Sequence, residues 1–159
     1  MLYYHLERDY KMIEIINGNI FDGNDDIICH QVNTYGVMGA GIALQIKERF
    51  PNVYTVYNEI CHEYKSNQLM GNVLFCNQYA PPIIANFFSQ YNMTTDYQAM
   101  FSCFKAVYNY AKRNNKNVAI PFGMGCGIAK GNWNIVYDMI REIFSQDEDV
   151  KCTIYKLEE

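Results

Sequence analysis

Two stretches dense in glycine, Asn33–Ala43 (NTYGVMGAGIA) and Phe122–Gly131 (FGMGCGIAKG), constrain this chain more than any other feature. Each follows a short apolar run and precedes a helical pattern, so each reads as a strand-to-helix loop. Glycine in such a loop permits positive φ and leaves backbone N–H groups uncovered by side chains. Amides gathered in this way above a helix N-terminus form an anion site, which the helix dipole reinforces. Two such loops on neighbouring strands would clamp a diphosphate between them. Either loop alone reads equally well as a tight turn. Gly39-Ala40-Gly41 is not a Walker loop, since no GK[ST] follows, and it is not the dinucleotide fingerprint either.

The rest of the chain supplies the frame for those loops. Met12–Asn17 and Asp26–Val32 read as strands, the second almost wholly apolar at its start, as a strand covered on both faces is. Gly39–Phe50 reads as a helix, with Ile42, Ile46 and Phe50 on one face, and Pro51 separates it from a second stripe of Val53, Val56, Tyr57, Ile60 and Tyr64. Asn72–Asn77 and Ile83–Phe88 read as strands separated by a Pro81-Pro82 turn. Thr95 and Gln98 have the spacing of a capping box, which predicts a helix carrying Phe101, Phe104, Tyr108 and Ala111. A strand at Asn117–Pro121, a helix from Trp133 to Phe144 capped by Asn132, and a strand at Cys152–Leu157 complete the series. Strands alternating with helices predict an α/β protein, a three-layer α/β/α sandwich. Ligands in such sheets sit at the carboxyl ends of central strands.

With 159 residues, half of them hydrophobic, the chain has the size and apolar content of one self-sufficient domain. Residues 1–11 precede the regular pattern as an arm of unassigned role, and residues 12–159 form the domain. The formal net charge is -4 and the 13 Lys and Arg are scattered, the densest patch being Lys112, Arg113 and Lys116. Binding to duplex DNA needs clustered cations to displace counterions, so the composition argues against a dedicated nucleic-acid binder. No apolar run reaches the ~20 residues that span a bilayer. The 6 cysteines contain no CxxC pair, and Cys29, Cys76, Cys103 and Cys152 sit in apolar runs as buried free thiols do. Cys29-His30 and Cys61-His62 are too close for zinc-ligand spacing. A reducing compartment, the cytoplasm, and no metal are therefore expected.

Three segments taken together, CHQVNTYGVMGAGIALQIKERFP, NFFSQYNMTTDYQAM and IPFGMGCGIAKGNWNIVYDMI, resemble the macrodomain family. They look most like its compact branch of ADP-ribose 1″-phosphate processing enzymes, which is related to terminal ADP-ribose-glutamate hydrolases. The resemblance runs from about Met12 to Leu157 and implies a central mixed sheet, ADP-ribose or a derivative as ligand, no cofactor, and ADP-ribosylated protein as a possible partner. It implies that Gly18-Asn19-Ile20 lies at the adenine, with Asn19 in place of the family's acid. An amide oxygen there accepts the same hydrogen bond but carries no charge. It further implies that Asn33 holds hydroxyls of the distal ribose, and that Met38, Gly39, Ala40, Gly41, Ile42 and Ala43 run along that ribose and the diphosphate. Gly123, Met124, Gly125, Cys126, Gly127 and Ile128 would form the second phosphate loop, and Tyr155 would approach the adenine or serve the core.

Catalysis is less constrained. The glutamate-linked hydrolases use a lysine near the NFFSQ segment and an aspartate after the second loop. Those places here read Phe88-Ser89 and Ala129, so the resemblance implies that their covalent mechanism is lost. An activated water remains, with Asn33 orienting the ribose. His30, three residues before Asn33, is either its acid or base or a buried strand residue with a satisfied hydrogen bond. Cys126 is either an exposed thiolate or simply a small residue. Gln90 either contacts ribose or water or belongs to a plain loop. Three functions follow: hydrolysis of ADP-ribose 1″-phosphate, non-catalytic recognition of ADP-ribose, and removal of ADP-ribose from another linkage on protein or nucleic acid by water attack.

Overall fold

The computed structural model describes residues 11–157, so nearly all of the N-terminal arm lies outside the described residues. In chain order the elements are β1 (Ile13–Asn17), a 3-10 turn (Ile20–Asp22), β2 (Ile27–Val32), α1 (Gly41–Arg49), α2 (Pro51–Glu63) and α3 (Ser66–Leu69). There follow β3 (Val73–Cys76), β4 (Ile83–Phe88), the two-residue strands β5 (Gln90–Tyr91) and β6 (Thr94–Thr95), α4 (Tyr97–Asn114), β7 (Val118–Pro121), α5 (Trp133–Phe144) and β8 (Cys152–Lys156).

The main sheet has the order β1-β8-β7-β2-β4-β3. Its first five strands are mutually parallel, and β3 runs antiparallel to β4 at the edge. Alternation along the central strands sends their side chains to two separate cores. Ile27, Cys29, Ile83, Ala85 and Phe87 meet α4 and α5 through Met100, Phe104, Val136 and Ile140. Ile28 and Ile84 meet α1 and α2 on the other face through Ile46 and Val53. The result is the expected α/β/α sandwich with a mixed sheet. Within the first core, Phe87 and Phe104 meet edge to face at 5.1 Å, a geometry that adds about 1 kcal/mol beyond the area buried.

Element ends differ from expectation where local chemistry intervenes. The first helix starts two residues late because Ala40 is extended (φ -151°, ψ 161°), and it ends at Arg49 because Phe50, preceding Pro51, leaves the helical region. Thr95 does not cap α4. Asp96 does, accepting from the Ala99 amide at 3.0 Å, while Thr95 is occupied in β6. The four cysteines expected to be buried are so, and all six are free thiols. No described helix is long and apolar enough to cross a membrane.

Candidate functional site

Because five strands run parallel, the loops leaving β1, β2, β4, β7 and β8 gather at one end of the sheet. The chain leaves β2 toward α1 on one face and leaves the adjacent β7 toward α5 on the other, which opens a crevice between them. A cleft of about 870 Å³ occupies that crevice, and both glycine-rich segments line it. Residues brought together there include Gly18, Asn19 and Ile20 from the first loop, Asn33 and Gly39–Ala43 from the second, Gln90, and Gly123, Met124, Gly125, Gly127, Ile128 and Tyr155.

Each loop contributes main-chain donors. The α1 N-terminus has no side-chain cap, and its first paired amide is Leu44, which donates to Ala40 O at 3.2 Å. Among the described residues nothing accepts from the amides of Gly41, Ile42 and Ala43, whose residues all line the cleft. In the other loop, alternate amides turn inward: Met124 donates to Pro121 O at 3.1 Å and Cys126 to Gly123 O at 2.9 Å. The amides of Gly125, Gly127 and Ile128 are left without an acceptor among the described residues. This second group is not a helix end, as the sequence suggested, because α5 begins only at Trp133 and its Asn134, Ile135 and Val136 amides are met by Asn132. It is a nest of backbone donors instead, made possible by positive φ at Gly123 (78°) and Gly125 (76°).

The polar side chains of the cleft are mostly amides. Asn33 Oδ1 accepts from the Tyr57 hydroxyl at 2.7 Å and from the Tyr35 amide at 3.0 Å, while its Nδ2 donates to Val37 O at 2.8 Å. That fixes the orientation: the oxygen is turned into the protein and one N–H remains for a ligand. Tyr57 is fully buried on α2, and no signal in the sequence distinguished it from an ordinary core aromatic. Asn19 caps the 3-10 turn by accepting from the Phe21 amide at 3.0 Å, which leaves its oxygen a second lone pair. Tyr155 is buried with its hydroxyl donated to Asp25, so it presents a ring rather than a donor. Burial, reinforced by the Asp25 carboxylate, holds that phenol well above its usual range.

Three expected site residues stand elsewhere. His30 is fully buried and does not line the cleft. Val32, on the same face of β2 two residues on, does line the cleft, so His30 is out of reach because it lies deeper along the strand, opposite Asn86 in register. Asn86 Nδ2 donates to Leu74 O at 2.8 Å, so its Oδ1 must accept from His30 Nε2, 2.6 Å away. Burial pushes the His30 pKa down to about 4 against the opposing Asn86 bond, and the neutral ring has a buried Nδ1 with no partner among the described residues. A general acid or base needs access to its substrate; His30 has none. Met38 is buried in the core beside Tyr57 and Phe88. Cys126 packs against the α4–α5 core, donates to Met124 O at 3.4 Å and has its thiol pKa raised by burial, which is the inert rather than the reactive setting.

Other lining residues were not foreseen, among them Phe21, Gln31, Gln45, Phe122, Lys156 and Leu157. Gln31 and Lys156 were legible in principle, since both lie at the carboxyl ends of strands that flank the crevice. Among the described residues, Lys156 is the only charged side chain that lines it. The Lys156 ammonium lies 4.8 Å from the centroid of the Phe122 ring. Among the described residues no carboxylate, imidazole or thiol lines the cleft, and the positions of the missing lysine and aspartate hold the buried Phe88-Ser89 pair and the lining Ala129.

The Macro domain family matches residues 29–140, which include both glycine-rich loops. The chain belongs to the macrodomain family. The macrodomain of Mycobacterium tuberculosis DarG superposes with a TM-score of 0.79 at 26% identity, over 91% of this chain and 97% of that one. In sequence, this macrodomain is 27% identical to the DNA ADP-ribosyl glycohydrolase of Mycobacterium tuberculosis over 148 residues, covering 91% of this chain and 42% of the relative. It is 32% identical to the ADP-ribose 1″-phosphate phosphatase of Candida albicans over 92 residues, 54% of this chain and 58% of the relative. It therefore spans only about two fifths of the length of the glycohydrolase.

Proposed function

We propose that this macrodomain binds ADP-ribose derivatives by the diphosphate and hydrolyses ADP-ribose 1″-phosphate to ADP-ribose and phosphate. The observation that carries the binding is the pair of unsatisfied amide groups, those of Gly41, Ile42 and Ala43 and those of Gly125, Gly127 and Ile128, lining one crevice. Preorganised main-chain donors suit a diphosphate without reorganisation, and they favour charge that develops on an adjacent phosphoryl group. The adenine would lie toward Asn19, Ile20 and Tyr155, and the distal ribose toward Asn33 and Gln90. Water attacks phosphorus, the bond to the ribose oxygen breaks, and the proton lost by water passes through the phosphoryl oxygens to the departing hydroxyl. No protein base is required for that transfer, which fits a cleft lined by amides. The relatives named for phosphatase and glycohydrolase activity support the ligand class.

The same lack of a lining carboxylate, imidazole or thiol among the described residues favours a second reading, a non-catalytic reader of ADP-ribose. Calorimetry with ADP-ribose, ADP and AMP, followed by a phosphate-release assay on ADP-ribose 1″-phosphate, separates the two. ADP-ribose is expected to bind about tenfold more tightly than ADP, with phosphate release that Asn33→Ala abolishes. Binding without release establishes the reader, and equal affinity for all three nucleotides defeats both.

Tyr57→Phe tests how Asn33 is held. Losing one buried hydrogen bond to the amide oxygen costs about 1 kcal/mol, so ADP-ribose affinity should fall about fivefold while AMP affinity, which needs no distal contact, is unchanged. An equal loss for both nucleotides would show that Tyr57 serves only the core.

A further inference from the structure

We propose that Thr95 is a positioning residue for the diphosphate site, its hydroxyl holding the second glycine-rich loop in the shape that leaves its amides free for ligand. This rests on the diphosphate-binding reading above. The loop carries glycine at 123, 125 and 127, so its own backbone preferences do little to choose between one arrangement of peptide planes and another. Something outside the loop has to choose.

Thr95 is 7% exposed and lies directly beneath it. Its hydroxyl donates to Gly125 O at 2.6 Å and its amide donates to Ala129 O at 3.0 Å. The Gly125 carbonyl also accepts from the Gly131 amide at 2.8 Å, which closes the loop on itself. With its one proton given to Gly125, the Thr95 oxygen accepts from Gln31 Nε2 at 3.1 Å, and the same nitrogen is anchored on Ser89. The fit leaves no slack: a Cβ on Gly125 would stand 2.9 Å from the Thr95 hydroxyl, and one on Gly131 3.3 Å. The Gly125 carbonyl shares its peptide plane with the Cys126 N–H, so turning that plane would break the bonds from Thr95 and Gly131 together with the one from Cys126 to Gly123 O, and with them the bends that leave the Gly125 and Gly127 amides free.

The delivery of Thr95 is itself built with strain. The β5–β6 hairpin turns through Asn92 (φ 48°) and Met93 (φ 61°), consecutive left-handed residues of the kind that a two-residue hairpin requires. Methionine is poorly suited to that conformation. The turn sets Gln90 opposite Thr95. One strand of the hairpin thus lines the distal end of the cleft and the other supports the phosphate loop, with Gln31 touching both.

The test compares wild type with Thr95→Val, which removes the hydroxyl and keeps the shape, and Thr95→Ser, which keeps the hydroxyl. Thr95→Ala is a second hydroxyl-free variant with the same expected outcomes, should valine unfold the chain. Thr95→Val is expected to bind ADP-ribose about tenfold more weakly, to bind adenosine as wild type does in an NMR titration, and to be rescued to within about threefold by serine. Without ligand, hydrogen exchange at the Gly131 amide should quicken about tenfold in Thr95→Val and recover in Thr95→Ser. Wild-type affinity in Thr95→Val, or unchanged exchange at Gly131, overturns the role of Thr95. If wild type itself fails to bind ADP-ribose, the diphosphate reading falls, and the ligand-free exchange alone decides whether Thr95 shapes the loop.

Discussion

Gly125→Ala is expected to abolish ADP-ribose binding and to destabilise the fold by about 2–5 kcal/mol. Two independent terms add. The left-handed backbone at Gly125 (φ 76°) costs an L-residue about 1–2 kcal/mol. The new methyl group would stand 2.7 Å from Met100 Cε, 2.9 Å from Thr95 Oγ1 and 3.1 Å from Gln31 Nε2, and crowding of that kind costs about 1–3 kcal/mol. Gly123 isolates the first term, because its φ is 78° but a Cβ there meets nothing within 4 Å. Gly123→Ala should lose only the backbone part, about 1–2 kcal/mol. Gly127, outside the left-handed region and also open, should tolerate alanine with little change in stability. At about 2–4 °C per kcal/mol for a domain of this size, thermal melts resolve the series. Equal melting temperatures for the 125 and 123 variants would show that the packing beneath Gly125 yields freely.

Acid should unfold the protein through His30. The folded-state pKa is about 4, below the ordinary 6.5, because the ring is buried. Between those values the unfolded chain takes up a proton that the native protein refuses, so stability falls with pH. The loss begins near pH 6.5, grows as pH falls, and reaches its full size below about pH 4. A shift of that size corresponds to about 3 kcal/mol at 1.36 kcal/mol per unit. Urea denaturation between pH 7 and pH 4 measures it. His30→Gln, which keeps a donor for Asn86, should flatten the profile in this window even if its stability at pH 7 is lower. A variant profile as steep as the wild type would assign the acid sensitivity to other groups.

The strand and helix pattern was legible because burial on both faces leaves a near-continuous apolar run in β2 and β4, and because proline and asparagine mark the breaks at Pro51 and Asn132. The two loops stood out for the same local reason: glycine density between a strand and a helix has few other uses. What escaped notice depends on contacts between distant segments. Thr95 and Gln98 have the spacing of a capping box, and only the tertiary pull of Gly125 and Ala129 on Thr95 moves the cap to Asp96. His30 looked accessible because it lies near a strand's end, whereas Val32 and Asn33 take the places at the crevice and leave His30 fully buried beneath them. Tyr57 gave no local signal at all, since it acquires its meaning from a partner on another segment, Asn33.

A cradle made of peptide groups has one more consequence. Main-chain donors neither gain nor lose protons across the range in which proteins live, so the hold on a diphosphate should stay level from mildly acidic to alkaline buffer. It also leaves the exposed side chain at 128 free to drift over evolutionary time, provided that the backbone keeps its bends. In this protein, then, recognition is inherited as a curve of the chain more than as a set of reactive groups.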